Sequence, residues 1–251
     1  LHELLKGQKL KEYVGENANV ANMSFKQNDL GYMVGVFASS MTTSGFMHTN
    51  EDAVLGFLGG ADGETTNDFL YGYLEGAKSV NPDIKVDTRY VGNYTDKAHG
   101  KELALSMIND NKADIIWGVA GGAGAAAAEA ALETDAAWYI GVDSDQEATF
   151  GDEMAAVTLT SGLKNVGDGI CWFINQWSLG NEFWGQEIAL GIAEGGVDMV
   201  IDKNFATAPQ SVQNAVAAAE KAIINGEVVV PSALVEGGNE AAIALRDSMQ
   251  P

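Results

Sequence analysis

Three observations predict an α/β fold with a parallel sheet flanked by helices. Segments of strand length recur along the chain at Ala53–Leu58, Ile84–Val91, Ala113–Ala120 and Ala137–Val142, with Ala113–Ala120 and Ala137–Val142 standing out as apolar runs. Segments of helical period lie between them. Each strand segment also ends in residues suited to ligand contact: Gly59, Gly60, Ala61, Asp62 and Gly63, then Asn93 and Tyr94, then Gly121, Gly122 and Gly124, then Asp143 and Asp145. Ligands of parallel sheets bind at the carboxyl ends of the strands, which puts the candidate site among these clusters.

Leu1–Glu16 reads as a short helix of mixed polarity and Asn19–Phe25 as a short strand. Asn28 or Asp29 is expected to cap a helix running to about Ser44, whose small and apolar residues suit close packing. Gly45–Asp52 reads as a loop with a solvated His48. After the strand Ala53–Leu58, Thr65 or Thr66 can cap a helix to Val80, in which Phe69, Leu70, Tyr73, Leu74 and Ala77 recur at helical spacing. Asn81-Pro82-Asp83 breaks that helix. Helices are expected over 97–109 and 123–133, the second rich in alanine. Ala155–Thr160 reads as a strand, followed by a helix over 166–178 with Ile170, Phe173, Ile174 and Trp177 on one face. Glu187–Ile192 and Val197–Ile201 suggest a strand pair around Glu194-Gly195-Gly196. Pro209 near its start and Gly226 at C′ frame a helix ending at Asn225, and a polar tail follows.

The 251 residues are 46% apolar and 20% charged, a globular composition. The 14 basic and 35 acidic residues give a net charge of −21, which argues against binding nucleic acid or an anionic membrane through a basic surface. The acidity reads as a solubility feature. One cysteine excludes an internal disulfide and multi-cysteine zinc sites; in its apolar surroundings Cys171 is expected to be a buried structural thiol. The sequence has no initiator Met, no signal-peptide pattern and no run of ~18 apolar residues. The expectation is a chain soluble as given, processed or truncated at Leu1.

Each candidate for chemistry has a plainer alternative. Gly122-Ala123-Gly124-Ala125-Ala126-Ala127 fits G-x-G-x-x-A after a strand, and Asp143 follows about 20 residues on, at the end of the next strand, as a dinucleotide-binding NAD(P) enzyme would need. The same glycines can instead let a helix approach its strand, or offer backbone N–H groups to a polar ligand. Tyr94 can be a stacking plate or a loop aromatic covering the core. Asp143 and Asp145 can accept from sugar hydroxyls or cap the next turn. Two carboxylates without a nearby His make a poor metal site. Lys164, taken alone, reads as solvated, and Trp117 and Trp138 as core. There is no G-x-S-x-G, H-E-x-x-H or P-loop, and His2, His48 and His99 are scattered, so no catalytic centre, cofactor or metal is expected.

Several strings in order resemble the basic membrane protein family of substrate-binding lipoproteins, of the purine nucleoside receptor type. They are MSFKQNDLGYMVG (23–35), GFLGGADGETTNDFLYGYLEGAK (56–78), YVGNYTD (90–96), ADIIWGVAGGAG (113–124), IGVDSDQ (140–146), TLTSGLKNVG (158–167) and GEVVVPSA (226–233). The resemblance implies a type I periplasmic-binding-protein-like fold of two lobes, the first incomplete, with a nucleoside clamped between them. It divides the chain into a remnant of lobe one and hinge (1–52), lobe two (53–160), and crossover and C-terminal segments (161–251). It implies a base-stacking role for Tyr94, where the family usually has Phe. Gly121 and Gly122 would form the glycine turn beside the ligand, Asp143 would hydrogen-bond the nucleoside, and Lys164 would reach into the same cleft. The implied role is a monomeric, non-enzymatic ABC-importer component, or a nucleoside sensor. Its partners are a nucleoside and permease subunits, not nucleic acid. It would act outside the cytoplasm, anchored by lipid on an N-terminal Cys that this sequence lacks together with the early part of lobe one.

Overall fold

The computed structural model describes residues 20–251; the expected helix Leu1–Glu16 lies outside the described residues. The elements are β1 (Asn22–Phe25), α1 (Gln27–Thr42), β2 (Val54–Gly59), α2 (Glu64–Val80), β3 (Lys85–Tyr90), α3 (Lys97–Asn111), β4 (Ala113–Val119), α4 (Gly121–Gly124), α5 (Ala126–Thr134) and β5 (Trp138–Asp143). They continue with α6 (Gln146–Thr149), α7 (Asp152–Ala156), β6 (Thr158–Lys164), α8 (Val166–Ser178), β7 (Glu187–Leu190), β8 (Val197–Met199), a 3-10 turn (Phe205–Thr207), α9 (Gln210–Ile224) and α10 (Gly238–Met249).

Strands β2 to β6 are parallel, and the six-stranded sheet has the order β3-β2-β4-β5-β6-β8, with β8 antiparallel at one edge. Its central strands β2, β4 and β5 are near-continuous apolar runs because helices cover both faces. Leu55, Phe57, Ile115 and Trp117 point into the core beneath α1 and α2, whereas Leu58, Ile116 and Tyr139 point into the core beneath α3 and α5. Trp117 is fully buried and its indole N–H donates to the Gly141 carbonyl at 3.0 Å. Trp138 is also buried, so both tryptophans belong to the core.

Helices α1 and α2 touch through their backbones. A Cβ added at Gly31 would fall 2.2 Å from the Phe69 carbonyl oxygen, and at Gly35 2.1 Å from that of Tyr73. From the other side, one at Gly72 would fall 1.9 Å from the Asn28 carbonyl oxygen and one at Gly76 2.1 Å from that of Tyr32. Two G-x-x-x-G steps therefore face each other, since residues four apart share a helix face. This contact sets the height of the first turn of α2, which is where the site begins.

A separate two-stranded parallel sheet pairs β1 with β7, and α8 lies on it, with Gly169 against Met23 and Leu190. Three segments join this small unit to the large sheet: β1 into α1 at Lys26, β6 into α8 at Asn165, and β7 into β8 through Gly191–Gly196. The expected division at residue 52 groups α1 with the first lobe; its residues Leu30, Met33, Val34, Phe37 and Met41 lie in the core of the large sheet.

Several expectations are corrected. Neither Asn28 nor Asp29 caps α1; Lys26 occupies the N-cap and both residues sit in the first turn, buried. Gly63, not Thr65 or Thr66, is the N-cap of α2. The alanine-rich helix is broken at Ala125 into α4 and α5. Ala155–Ala156 close the short helix α7, and the strand begins at Thr158 and runs to Lys164. β7 and β8 do not pair with each other: a turn with Gly195 at φ 70° sends them to different sheets. The polar tail contains α10, whose Ala242, Leu245 and Met249 recur at helical spacing and pack against α2. His48 is not solvated but stands edge-on to Trp138, ring centroids 5.0 Å apart. Cys171 is exposed, because the apolar face of α8, with Ile170, Ile174 and Trp177, is itself exposed.

Candidate functional site

The strand order β3-β2-β4-β5-β6 reverses direction between β2 and β4, and open parallel sheets bind ligands in the crevice at such a switch point. Tyr94 stands over it. The loop that carries Tyr94 is shaped by Asn93, whose Oδ1 accepts from the backbone N–H of Thr95 at 2.9 Å and of Asp96 at 2.8 Å. Asp96 then caps α3 by accepting from His99 N at 3.1 Å. The Tyr94 carbonyl accepts from Ala123 N at 3.1 Å, which ties the loop to the turn after β4.

The Tyr94 ring lies against Gly60, at the end of β2. A Cβ there would fall 2.1 Å from the ring, so any larger residue would displace it. The phenol oxygen is 3.1 Å from the Thr66 hydroxyl on the first turn of α2. Tyr94 remains 48% exposed, leaving a ring face open to a ligand. Gly121 and Gly122 complete this half. Both are exposed, a Cβ at either would come within 3.4–3.6 Å of the Tyr94 carbonyl oxygen, and Gly121 has φ 54°, where a side chain would be strained.

The other half comes from β5 and β6. Ser144 N donates to the Val142 carbonyl at 2.8 Å across Asp143, whose φ is 66°. This is a γ-turn of the rare positive-φ form, and strain of this kind clusters at functional sites. Asp143 Oδ1 is 3.5 Å from Lys164 Nζ, and the Lys164 ammonium lies 5.9 Å from the centre of the Phe69 ring. The pair is half open to solvent, so it adds at most about 1 kcal/mol to stability and is free to exchange partners with a ligand. Asp145 is committed elsewhere: it caps α6 through Ala148 N and pairs with Lys203.

The predicted residues thus form two groups, Tyr94 with Gly121 and Gly122, and Asp143 with Lys164. Thr66 and Phe69 link them, three residues apart on one face of α2. Thr66, Phe69 and Gly60 also border this candidate site, and the sequence alone did not single them out for it. Phe69 reads as core, and it is 5% exposed and edge-on to Trp117, yet the lysine ammonium lies over its ring. Of the two G-x-G-x-x-A glycines, Gly124 serves packing, since a Cβ there would fall 2.8 Å from the Gly118 carbonyl oxygen on β4, whereas Gly122 is exposed.

An open doubly wound sheet with a half-exposed tyrosine and an ion pair at its carboxyl edge, joined by three crossings to a second small sheet, defines a lobe of the periplasmic solute-binding class. Comparison with known proteins agrees. The family described as ABC transporter substrate-binding protein PnrA-like matches residues 7–233, and the chain belongs to that family. It is 32% identical over 231 residues to the "ABC transporter nucleoside-binding protein BmpA" of Lactococcus lactis subsp. cremoris, covering 87% of this chain and 62% of that protein. It is 34% identical over 217 residues to "Basic membrane protein A" of Borreliella burgdorferi, covering 86% of this chain and 60% of that one. The chain therefore spans about 60% of the length of these relatives. A solute-binding protein of Aeropyrum pernix K1 shares the fold, with a TM-score of 0.72 at 24% identity over 93% of this chain and 73% of its own. One from Conexibacter woesei does so with a TM-score of 0.68 at 21% identity, over 90% of this chain and 69% of its own. Among the described residues no helix is long and apolar enough to cross a membrane.

Proposed function

We propose that the chain supplies the nucleoside-binding lobe of an ABC-importer substrate-binding protein. The observation that carries the reading is the pairing of a half-exposed aromatic ring at the switch point with an Asp–Lys pair two strands away, in a chain of this family. A planar base stacks on Tyr94, and backbone groups of Gly121 and Gly122 approach its edge. Asp143 accepts from sugar hydroxyls, and Lys164 donates to the remaining acceptors. A partner left unpaired with the wrong ligand disfavours it, which gives selectivity.

Within this reading the ligand is uncharged. The site has one carboxylate and one ammonium, and the chain around it carries −21, so a nucleoside is favoured over a nucleotide. A purine offers the larger stacking face. The name of the Lactococcus lactis relative supports the nucleoside class. Delivery to a permease in the membrane, action outside the cytoplasm and a lipid anchor near the N-terminus of the whole protein belong to the same proposal, as does a monomeric state. The test is a thermal-shift screen against adenosine, guanosine, inosine, cytidine, uridine and their 5′-monophosphates, with NAD included. A ligand at 100 times its dissociation constant adds about 2.7 kcal/mol of apparent stability. Shifts with purine nucleosides and none with monophosphates are expected; a shift with NAD alone would overturn the reading.

A further inference from the structure

We propose that Thr66 is a positioning residue for the stacking ring: its hydroxyl anchors the phenol of Tyr94 and fixes the plane on which a base would lie. The consequence for affinity rests on the nucleoside reading above, whereas the anchoring itself rests on geometry alone.

Thr66 is 4% exposed on the first turn of α2. Here it reaches Tyr94 Oη at 3.1 Å. The ring is then held at three points, by its own carbonyl through Ala123 N, by contact along one edge with Gly60, and by its oxygen through Thr66. Without the third point the loop residue is free to turn about its side-chain torsions, because its outer face is open. A ring already held loses less freedom when a base stacks on it.

Thr66 also sits three residues before Phe69, whose ring lies beside the Lys164 ammonium. The first turn of α2 therefore sets the distance between the stacking plate and the ion pair. That turn is in turn placed by the backbone contact of Gly31 with Phe69. A phenylalanine at position 94 would offer the same ring face but could not use the anchor, so Thr66 and the tyrosine hydroxyl act as one unit.

The test is a double-mutant cycle of Thr66→Val and Tyr94→Phe, read by calorimetric titration with guanosine and by melting temperature without ligand. Each single substitution is expected to weaken guanosine roughly 2- to 10-fold, with the double variant no weaker than either. Thr66→Ser is expected to restore wild-type affinity. Melting temperatures are expected to show the same non-additivity. Equal losses from Thr66→Val in the Tyr94 and Tyr94→Phe backgrounds, or no loss, would overturn the proposal. If guanosine, inosine and adenosine all fail to bind the unmutated chain, the nucleoside reading falls. The melting-temperature cycle then decides the anchor alone: coupled shifts support it and additive shifts overturn it.

Discussion

Gly72→Ala separates packing from helix propensity by the sign of its effect. Alanine is the better helix former, and in an open helix interior the change stabilises by roughly 0.5–1 kcal/mol. At Gly72 the new methyl would stand 1.9 Å from the Asn28 carbonyl oxygen, 2.8 Å from its carbon and 2.9 Å from Tyr32 N, all backbone atoms that cannot rotate away. Restoring ordinary contact of about 3.5 Å requires α1 and α2 to part by roughly 1.5 Å in a core packed at crystal density. Overpacking of this kind costs roughly 1–3 kcal/mol, more than propensity returns. The net expectation is a loss of roughly 1–2 kcal/mol in urea unfolding at unchanged m-value. Gly167→Ala in α8 is the control, since a Cβ there meets nothing within 4 Å, and it should stabilise by a few tenths to about 1 kcal/mol. A gain of stability in Gly72→Ala equal to the control would refute the claim that the glycines exist for backbone contact. Because α2 carries Thr66 and Phe69, the same substitution should also weaken ligand binding.

Two further predictions follow from strain and burial. Asp114 is fully buried, accepts from the Thr42 hydroxyl at 2.7 Å and Asn50 N at 2.8 Å, and has one oxygen without a partner; burial pushes its carboxyl up to about 6. A folded-state value above the unfolded one means that the folded form holds the proton more tightly. Its contribution is thus full below about pH 4 and lost as pH rises to about 6, a penalty approaching 3 kcal/mol at neutral pH. Asp114→Asn should flatten the fall in stability between pH 4 and 6, measured by urea unfolding at each pH; an unchanged slope would contradict this. Asp143→Gly should raise the melting temperature slightly, by relieving a positive φ worth roughly 0.5–1 kcal/mol, while removing ligand binding. Retained binding would remove Asp143 from the site.

How much was legible follows from local physics. Strands β2, β4 and β5 read directly because a parallel strand covered on both faces is a continuous apolar run, whereas the edge strand β3 alternates apolar with polar residues. The candidate residues Gly121, Gly122 and Asp143 stand out at the carboxyl ends of such strands, whereas the weight on Tyr94 and Lys164 came from the family resemblance. Contacts made at long sequence distance were not legible. β1 and β7 pair across about 165 residues, so Glu187–Leu190 looked like half of a hairpin with β8. The Thr66 hydroxyl meets a partner 28 positions away, so locally the residue resembled a cap. The α10 pattern is three apolar residues among polar ones, too thin to separate from a tail. Cys171 was misplaced because an apolar helix face reads as buried, and here that face is exposed.

The most direct measurement of the central claim is a calorimetric titration of the chain with guanosine, inosine and adenosine, repeated for Tyr94→Ala. The account predicts one-to-one binding of at least one purine nucleoside and a loss of roughly 10-fold or more on removing the ring, since stacking on an aromatic side chain is worth about 1–3 kcal/mol per base. Nucleoside binding of equal strength in the Tyr94→Ala variant would contradict it, because the ligand would then lie somewhere other than the switch point.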